Sequence, residues 1–225
     1  MSSIAGIYNK KGKDASEEEI SVLLDELDHW AADRRDHQTE GPVGMGQLML
    51  FNTPESHQEK LPFKDPESGL IITSDARIDN REELFKLLNL QPGETIITDS
   101  YLILETYKKY GSQCTDYLVG AFVFAIYDTA YQNLFCARDH MGFKPFFYCN
   151  ADDIFLFSTE IKGIKAYPDI KLTPNDLFIA DALSTLRSEK NQTLYEEIKR
   201  LPPAHKMVVT GQKTKIHLYW KLNPR

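Results

Sequence analysis

The sequence predicts an α+β fold in which antiparallel sheets are flanked by helices. Two observations carry this. Short apolar segments come in pairs with turn residues between them: residues 122–128 before 132–136, and 146–149 before 154–157 across Asn150-Ala-Asp-Asp153. Helical patterns are segregated between these pairs and do not alternate with single strands.

The elements follow in order. Ser3–Tyr8 reads as an apolar strand at a chain terminus, which needs something to hold it, because termini normally fray. Ser16 with Glu19 three residues on is a capping box. Ile20, Leu23, Leu24, Leu27, Trp30 and Ala31 then give one apolar helix face. Asp33-Arg-Arg-Asp-His37 reads as a charged loop, Val43–Asn52 as a weakly alternating strand, and Thr53–Ser68, with three prolines, as a long loop. Gly69–Ser74 is the next strand. Asn80 and Glu83 make a second capping signature for a short helix through Leu88, ended by Gln91-Pro-Gly93. Thr98 or Asp99 caps a helix that Gly111 stops. Val119–Asp128 is too apolar for a wet face. Glu160–Ala166 is a short helix, Thr173-Pro174 starts another, and Lys206–Tyr219 is a hairpin around Gly211.

A chain of 225 residues is long enough for one sizeable domain. Its formal charge of −7 and pI near 5.4 speak against nucleic-acid or anionic membrane partners. No apolar run approaches the roughly 20 residues of a membrane span, and no secretory signal opens the sequence. Cys114, Cys136 and Cys149 are odd in number and widely spaced, so they are expected as buried thiols in a reducing cytoplasm. The six histidines show no zinc-type spacing, and no metal site is expected.

Arg138, Asp139 and His140 lie between two strands, with Gly142 and Pro145 marking a turn. Taken alone they read as an Arg-Asp pair tying that turn down. Ala137-Arg-Asp-His-Met-Gly-Phe-Lys-Pro-Phe146, followed by Phe157-Ser-Thr-Glu-Ile-Lys-Gly163, nevertheless resembles a signature of asparagine synthetase-type proteins. Ile4–Tyr8, Gly120–Asp128, Ile198–His205 and Leu218-Tyr-Trp220 are similar too, in family order over nearly the whole chain. The resemblance is to the N-terminal class II glutamine amidotransferase domain, an N-terminal-nucleophile (Ntn) hydrolase. It implies a four-layer sandwich of helices, two stacked antiparallel sheets and helices. Residues 1–215 would form that domain. Residues 216–225 would begin a linker to a C-terminal ATP-dependent synthetase domain, and no Ser-Gly-Gly-x-Asp-Ser loop of such a domain occurs here.

The resemblance also assigns a site. In the active family an N-terminal Cys attacks the glutamine amide with its own free α-amine as base. Ser2 stands at that position, behind Met1. The Arg that grips the substrate carboxylate corresponds to Met49, whose thioether cannot form the bidentate pair. The Asn-Gly-Glu triplet, whose first two residues form the oxyanion hole, corresponds to Asp75-Ala76-Arg77. The Asp that receives the substrate ammonium corresponds to Asp99, and the His-Arg-Gly-Pro-Asp loop is degraded to residues 33–37. A carboxylate at Asp75 repels a developing oxyanion, and Arg77 is expected to reach Asp99 and fill the pocket.

Three functions follow as expectations. The first is an amidotransferase-like domain without glutaminase activity, a scaffold or docking face for an amide-forming ligase. β-Lactam synthetases and lasso-peptide cyclases have a similar arrangement and take the amine from the substrate itself. The second is a working glutaminase that supplies ammonia for asparagine synthesis. The third is a binding domain whose remodelled pocket takes another small molecule through Asp99 and Arg77. No cofactor is expected in this domain, ATP and magnesium belonging to the synthetase part. The expected partners are that synthetase domain or subunit, a small molecule, and a second copy of the chain.

Overall fold

The computed structural model describes residues 2–91, 96–184 and 191–223. Two six-stranded sheets stack face to face, and every pairing within them is antiparallel. In chain order the strands are β1 (Ser3–Asn9), β2 (Arg34–Glu40), β3 (Val43–Met49), β4 (Phe63–Lys64), β5 (Leu70–Ile78), β6 (Gly120–Asp128), β7 (Asn133–Arg138), β8 (Phe147–Asn150), β9 (Ile154–Ser158), β10 (Ile198–Arg200), β11 (His205–Val209) and β12 (Thr214–Leu218). The first sheet runs β10-β8-β9-β1-β3-β2 and the second β12-β11-β7-β6-β5-β4.

Strand alternation sorts each sheet into two faces. Ile4, Tyr8, Val43, Met45, Ile71, Val123, Leu134 and Phe157 fill the space between the sheets. Ala5, Ile7 and Leu48 point away from it, under helices α1 (Glu17–Asp25) and α4 (Ile161–Lys165). Leu70, Ile72, Phe122, Phe124 and Phe135 point outward from the second sheet, under α2 (Arg81–Leu88) and α3 (Asp99–Tyr110). The expected four layers are present. Strands buried on both faces explain the apolar runs in β1 and β6. The N-terminal strand is held between β3 and β9 in the middle of its sheet.

α1 has its capping box: Glu19 N–H donates to Ser16 Oγ at 3.2 Å and Ser16 N–H to Glu19 Oε2 at 2.9 Å. It sits close to β3 because Gly46 has no side chain, and a Cβ there would lie 2.6 Å from a Leu24 methyl. The helix ends at Asp25, sooner than the apolar pattern suggests. Leu27 continues that face in a loop, and Trp30 lies in a separate 3₁₀ turn.

Four local expectations are corrected. Residues 34–40 form an edge strand paired to β3 along its whole length, not a charged loop. Arg35 and His37 face the polar flank of α1, with Arg35 2.6 Å from Asp25 and His37 3.9 Å from Glu17. Asn80 precedes α2 without capping it. Its side chain instead accepts from Val119 N–H at 3.0 Å and donates to the Tyr117 carbonyl at 2.9 Å, tying α2 to the start of β6. α2 ends at Asn89 in a left-handed conformation, and the proposed stop at Pro92-Gly93 lies outside the described residues. The helix expected from Thr173-Pro174 starts instead at Asp176, because Pro174 is in an extended bridge with Tyr195 while Asn175 accepts from Phe178 N–H at 3.0 Å. The stretch 53–68 also contains a 3₁₀ turn and the two-residue β4. The final hairpin runs through Leu218, and Tyr219 Oη donates to the Arg138 carbonyl at 2.7 Å. All three cysteines are buried and unpaired. Among the described residues no helix is long and apolar enough to cross a membrane.

Candidate functional site

Register places Ser2, Met49 and Asp75 at the space between the sheets. Ser3 pairs with Leu48 and Arg34 with Met49, so Ser2, Met49 and Arg34 share one rung across β1, β3 and β2. Ser2 is buried, and its Oγ accepts from Leu50 N–H at 3.1 Å. Met49 is buried against the core that lies under α2 and α3. Facing this rung, Gln47 Nε2 donates to the Ser74 carbonyl at 2.6 Å and pins β3 of one sheet to β5 of the other. Alternation from Ile71 puts Thr73 and Asp75 on the inner face of β5.

Asp75 is the most constrained of these residues. Its side chain and that of Lys144 are 7% and 14% exposed, and Lys144 Nζ lies 2.8 Å from Asp75 Oδ1. Asp75 Oδ2 is buried with no hydrogen-bond partner among the described residues. Burial pushes the Asp75 carboxyl up, and Lys144 opposes that rise. An ion pair therefore sits at the position assigned to the first oxyanion donor. The neighbouring Ala76 turns outward toward the helical layer.

Lys144 is delivered by the turn between β7 and β8. The Asp139 carboxylate accepts from Met141 N–H at 3.1 Å, Phe143 N–H at 2.9 Å and Lys144 N–H at 2.9 Å. Arg138 donates to the carbonyls of Lys144, Leu201 and Gly142 at 2.5, 2.7 and 2.7 Å. Gly142 has φ +71°, and a Cβ there would lie 2.7 Å from Pro203 Cγ, so the tight turn requires glycine. Arg138 and Asp139 thus stabilise the turn as their position suggests, although each bonds backbone groups.

Arg77 does not reach Asp99. It is largely exposed and donates to Asp79 Oδ1 at 2.9 Å. Asp99 pairs instead with Arg81, which also donates to the Ile97 carbonyl. The pairing joins the first residues of α2 and α3, so a cation does fill the space beside Asp99, but it comes from the helix start and not from β5. Arg34 was missed by sequence reasoning. Its guanidinium donates to the carbonyls of Glu59 at 2.5 Å and His57 at 3.4 Å and lies 5.1 Å from the Phe51 ring centroid. Glu59 in turn accepts from Ser100 N–H at 3.0 Å and from its hydroxyl. The signal was the pair Arg34-Arg35 beside a strand, but the stretch read as a loop.

Burial pushes the Asp99 carboxyl from 3.8 up to about 6, with Arg81 opposing the rise and Glu59 adding to it. The folded chain therefore holds this proton more tightly than the unfolded chain. The group favours the fold at low pH, and that advantage is lost between about pH 4 and pH 6. Asp99→Asn removes the titration. Its stability relative to the parent is expected to rise by about 2 kcal/mol from pH 4 to pH 7, at 1.36 kcal/mol per unit. Urea unfolding at the two pH values measures this, and a pH-independent difference between the proteins would contradict the shift.

Burial pushes the thiols up as well, Cys114 to about 12 and Cys149 to about 11, so neither is a ready nucleophile at neutral pH. Among the described residues no group of His, Cys, Asp and Glu is placed to hold a metal ion.

Comparison with known proteins bears on the family and the fold. A family model described as a glutamine amidotransferase domain matches residues 1–220. Asparagine synthetase [glutamine-hydrolyzing] 3 of Bacillus subtilis is 33% identical over 153 residues, covering 67% of this chain and 25% of that protein. A putative asparagine synthetase [glutamine-hydrolyzing] 2 of Methanocaldococcus jannaschii is 29% identical over 248 residues, covering 99% of this chain and 47% of that protein. The chain thus spans less than half the length of these relatives. Among solved structures, glutamine phosphoribosylpyrophosphate amidotransferase from B. subtilis superposes with a TM-score of 0.68 at 13% identity, over 97% of this chain and 49% of that one. That likeness establishes the shared fold, an Ntn-hydrolase sandwich.

Proposed function

The chain belongs to the glutamine amidotransferase domain family, and from that premise we propose that it is the amidotransferase-type part of an asparagine synthetase-like, amide-forming ligase in which glutamine hydrolysis is silent. Its role is then to support or dock an ATP-using synthetase part located in the cytoplasm. The observation that carries this reading is the buried Asp75–Lys144 pair at the first oxyanion-hole position. An oxyanion hole needs a hydrogen-bond donor aimed at the developing charge, and losing one donor costs about 10²–10³ in rate. A carboxylate with one buried oxygen lacking a partner among the described residues offers the opposite polarity. Three further features support the reading. Ser2 stands in place of a thiol, Met49 in place of a guanidinium, and the retained carboxylate of Asp99 already holds Arg81.

The test is glutamate release from glutamine, measured on the chain as it stands and on Ser2→Cys with Met1 removed. Both are expected to stay at the level of the buffer blank. Turnover by the Ser2→Cys protein would show that the pocket still grips glutamine and would favour a glutaminase that feeds ammonia to a synthetase. Thermal shift with free amino acids separates the third reading, a remodelled binding pocket, because a ligand that binds only the folded state raises Tm.

A further inference from the structure

The charge of the chain is unevenly distributed. Residues 198–225 contain seven lysines and arginines and no aspartate or glutamate. Everything before them holds the other 19 basic residues against all 33 acidic ones, a balance of −14. This basic stretch builds β10, β11 and β12, and β12 is the outermost strand of its sheet.

β12 carries two different faces. Lys213, Lys215 and His217 are exposed on one side, and among the described residues neither lysine is in an ion pair. Ile216 and Leu218 lie on the other at 39% and 53% exposure, and Trp220 and Leu222 continue the alternation at 36% and 62%. Lysines on an edge strand normally discourage pairing. Two large apolar side chains exposed on the strand, with Trp220 and Leu222 exposed just beyond it, do not fit an edge that is only being protected.

We propose that the free edge of β12 takes an extended, acidic polypeptide segment of another protein as an added strand. Acidic side chains on one face of the guest would meet Lys213, Lys215 and His217, and apolar ones on the other would cover Ile216 and Leu218. Charge decides between this guest and a second copy of the chain. Antiparallel self-pairing centred on Ile216 sets each Lys215 opposite a His217 and gives neither exposed lysine an acidic partner, because residues 198–225 contain no aspartate or glutamate. The proposal stands on this surface alone and holds whether or not glutamine hydrolysis is silent.

The probe is a short fluorescein-labelled peptide alternating Glu and Val, with an alternating Lys and Val peptide and single-stranded DNA as comparisons. Saturable binding of the acidic peptide alone is expected, weakened roughly tenfold or more by high salt or by Lys213→Glu with Lys215→Glu. Both lysines are exposed, so these changes leave the fold intact. Hydrogen exchange should slow at residues 214–218 when the peptide binds. Failure of the acidic peptide to bind, equal binding of the basic peptide, tighter binding of the DNA, or protection located elsewhere overturns the proposal. So does a concentration-dependent dimer that the peptide displaces, which would make the occupant a second copy.

Discussion

Lys144→Ala is expected to lower the unfolding free energy by about 3–5 kcal/mol at neutral pH, because it leaves the Asp75 carboxylate buried without its partner. The pair lies between the sheets with both side chains under 15% exposed, so solvent screens it little. The sign of the pH dependence follows from the same geometry. Without Lys144 the main opposition to burial is gone, the carboxyl rises further, and protonating it at low pH removes the unpaired charge. The deficit should therefore shrink as the pH falls. A double replacement, Asp75→Leu with Lys144→Met, removes both charges and is expected to recover most of the loss. Urea unfolding followed by circular dichroism measures all three proteins. A loss below about 1 kcal/mol for Lys144→Ala would mean that the pair behaves like an exposed one.

Asp139→Ala is expected to cost about 4 kcal/mol or more. The carboxylate is fully buried and accepts three backbone N–H groups of the turn that carries Lys144. Hydrogen bonds to a charged acceptor are worth about 1.5–3 kcal/mol each, and three of them hold this turn. Asp139→Asn keeps one acceptor and turns the other into a donor, so it should fall between the parent and Asp139→Ala. The two sites are coupled, because Asp139 Oδ2 holds the backbone of Lys144 while its side chain holds Asp75. The Asp139→Ala, Lys144→Ala double variant should therefore lose less than the two single losses added together. Strict additivity would show that the turn does not position the lysine.

Sequence and structure agree where local chemistry and burial point the same way. The capping box at Ser16, the Thr98 cap, the Gly111 stop and the terminal hairpin were all legible for that reason. β2 was not. It is an edge strand whose partners on one side are the charged flank of α1, so it lacks the apolar alternation that marks a strand. Missing β2 also hid Arg34, because only its pairing with β3 brings that guanidinium onto the rung of Ser2 and Met49. The partner of Asp99 was misassigned for a related reason. Arg77 and Arg81 are four residues apart across the end of β5, and sequence cannot say that the chain turns so that the second faces α3 while the first faces water. Lys144 was visible in the signature but carried no assigned role. Its contact with Asp75 spans 69 positions and comes from sheet stacking, which no local pattern encodes.

The central place of β1 has a consequence for synthesis. β1 leaves the ribosome before both of its partners; it can pair early with β3, yet its other edge waits for β9, about 150 residues downstream. At the usual elongation speed of about 5–20 residues per second this is a wait of roughly 8–30 s. During that interval an apolar segment with one unmatched border is open to whatever the cell offers, so the nascent chain should depend on chaperones until residue 158 has emerged.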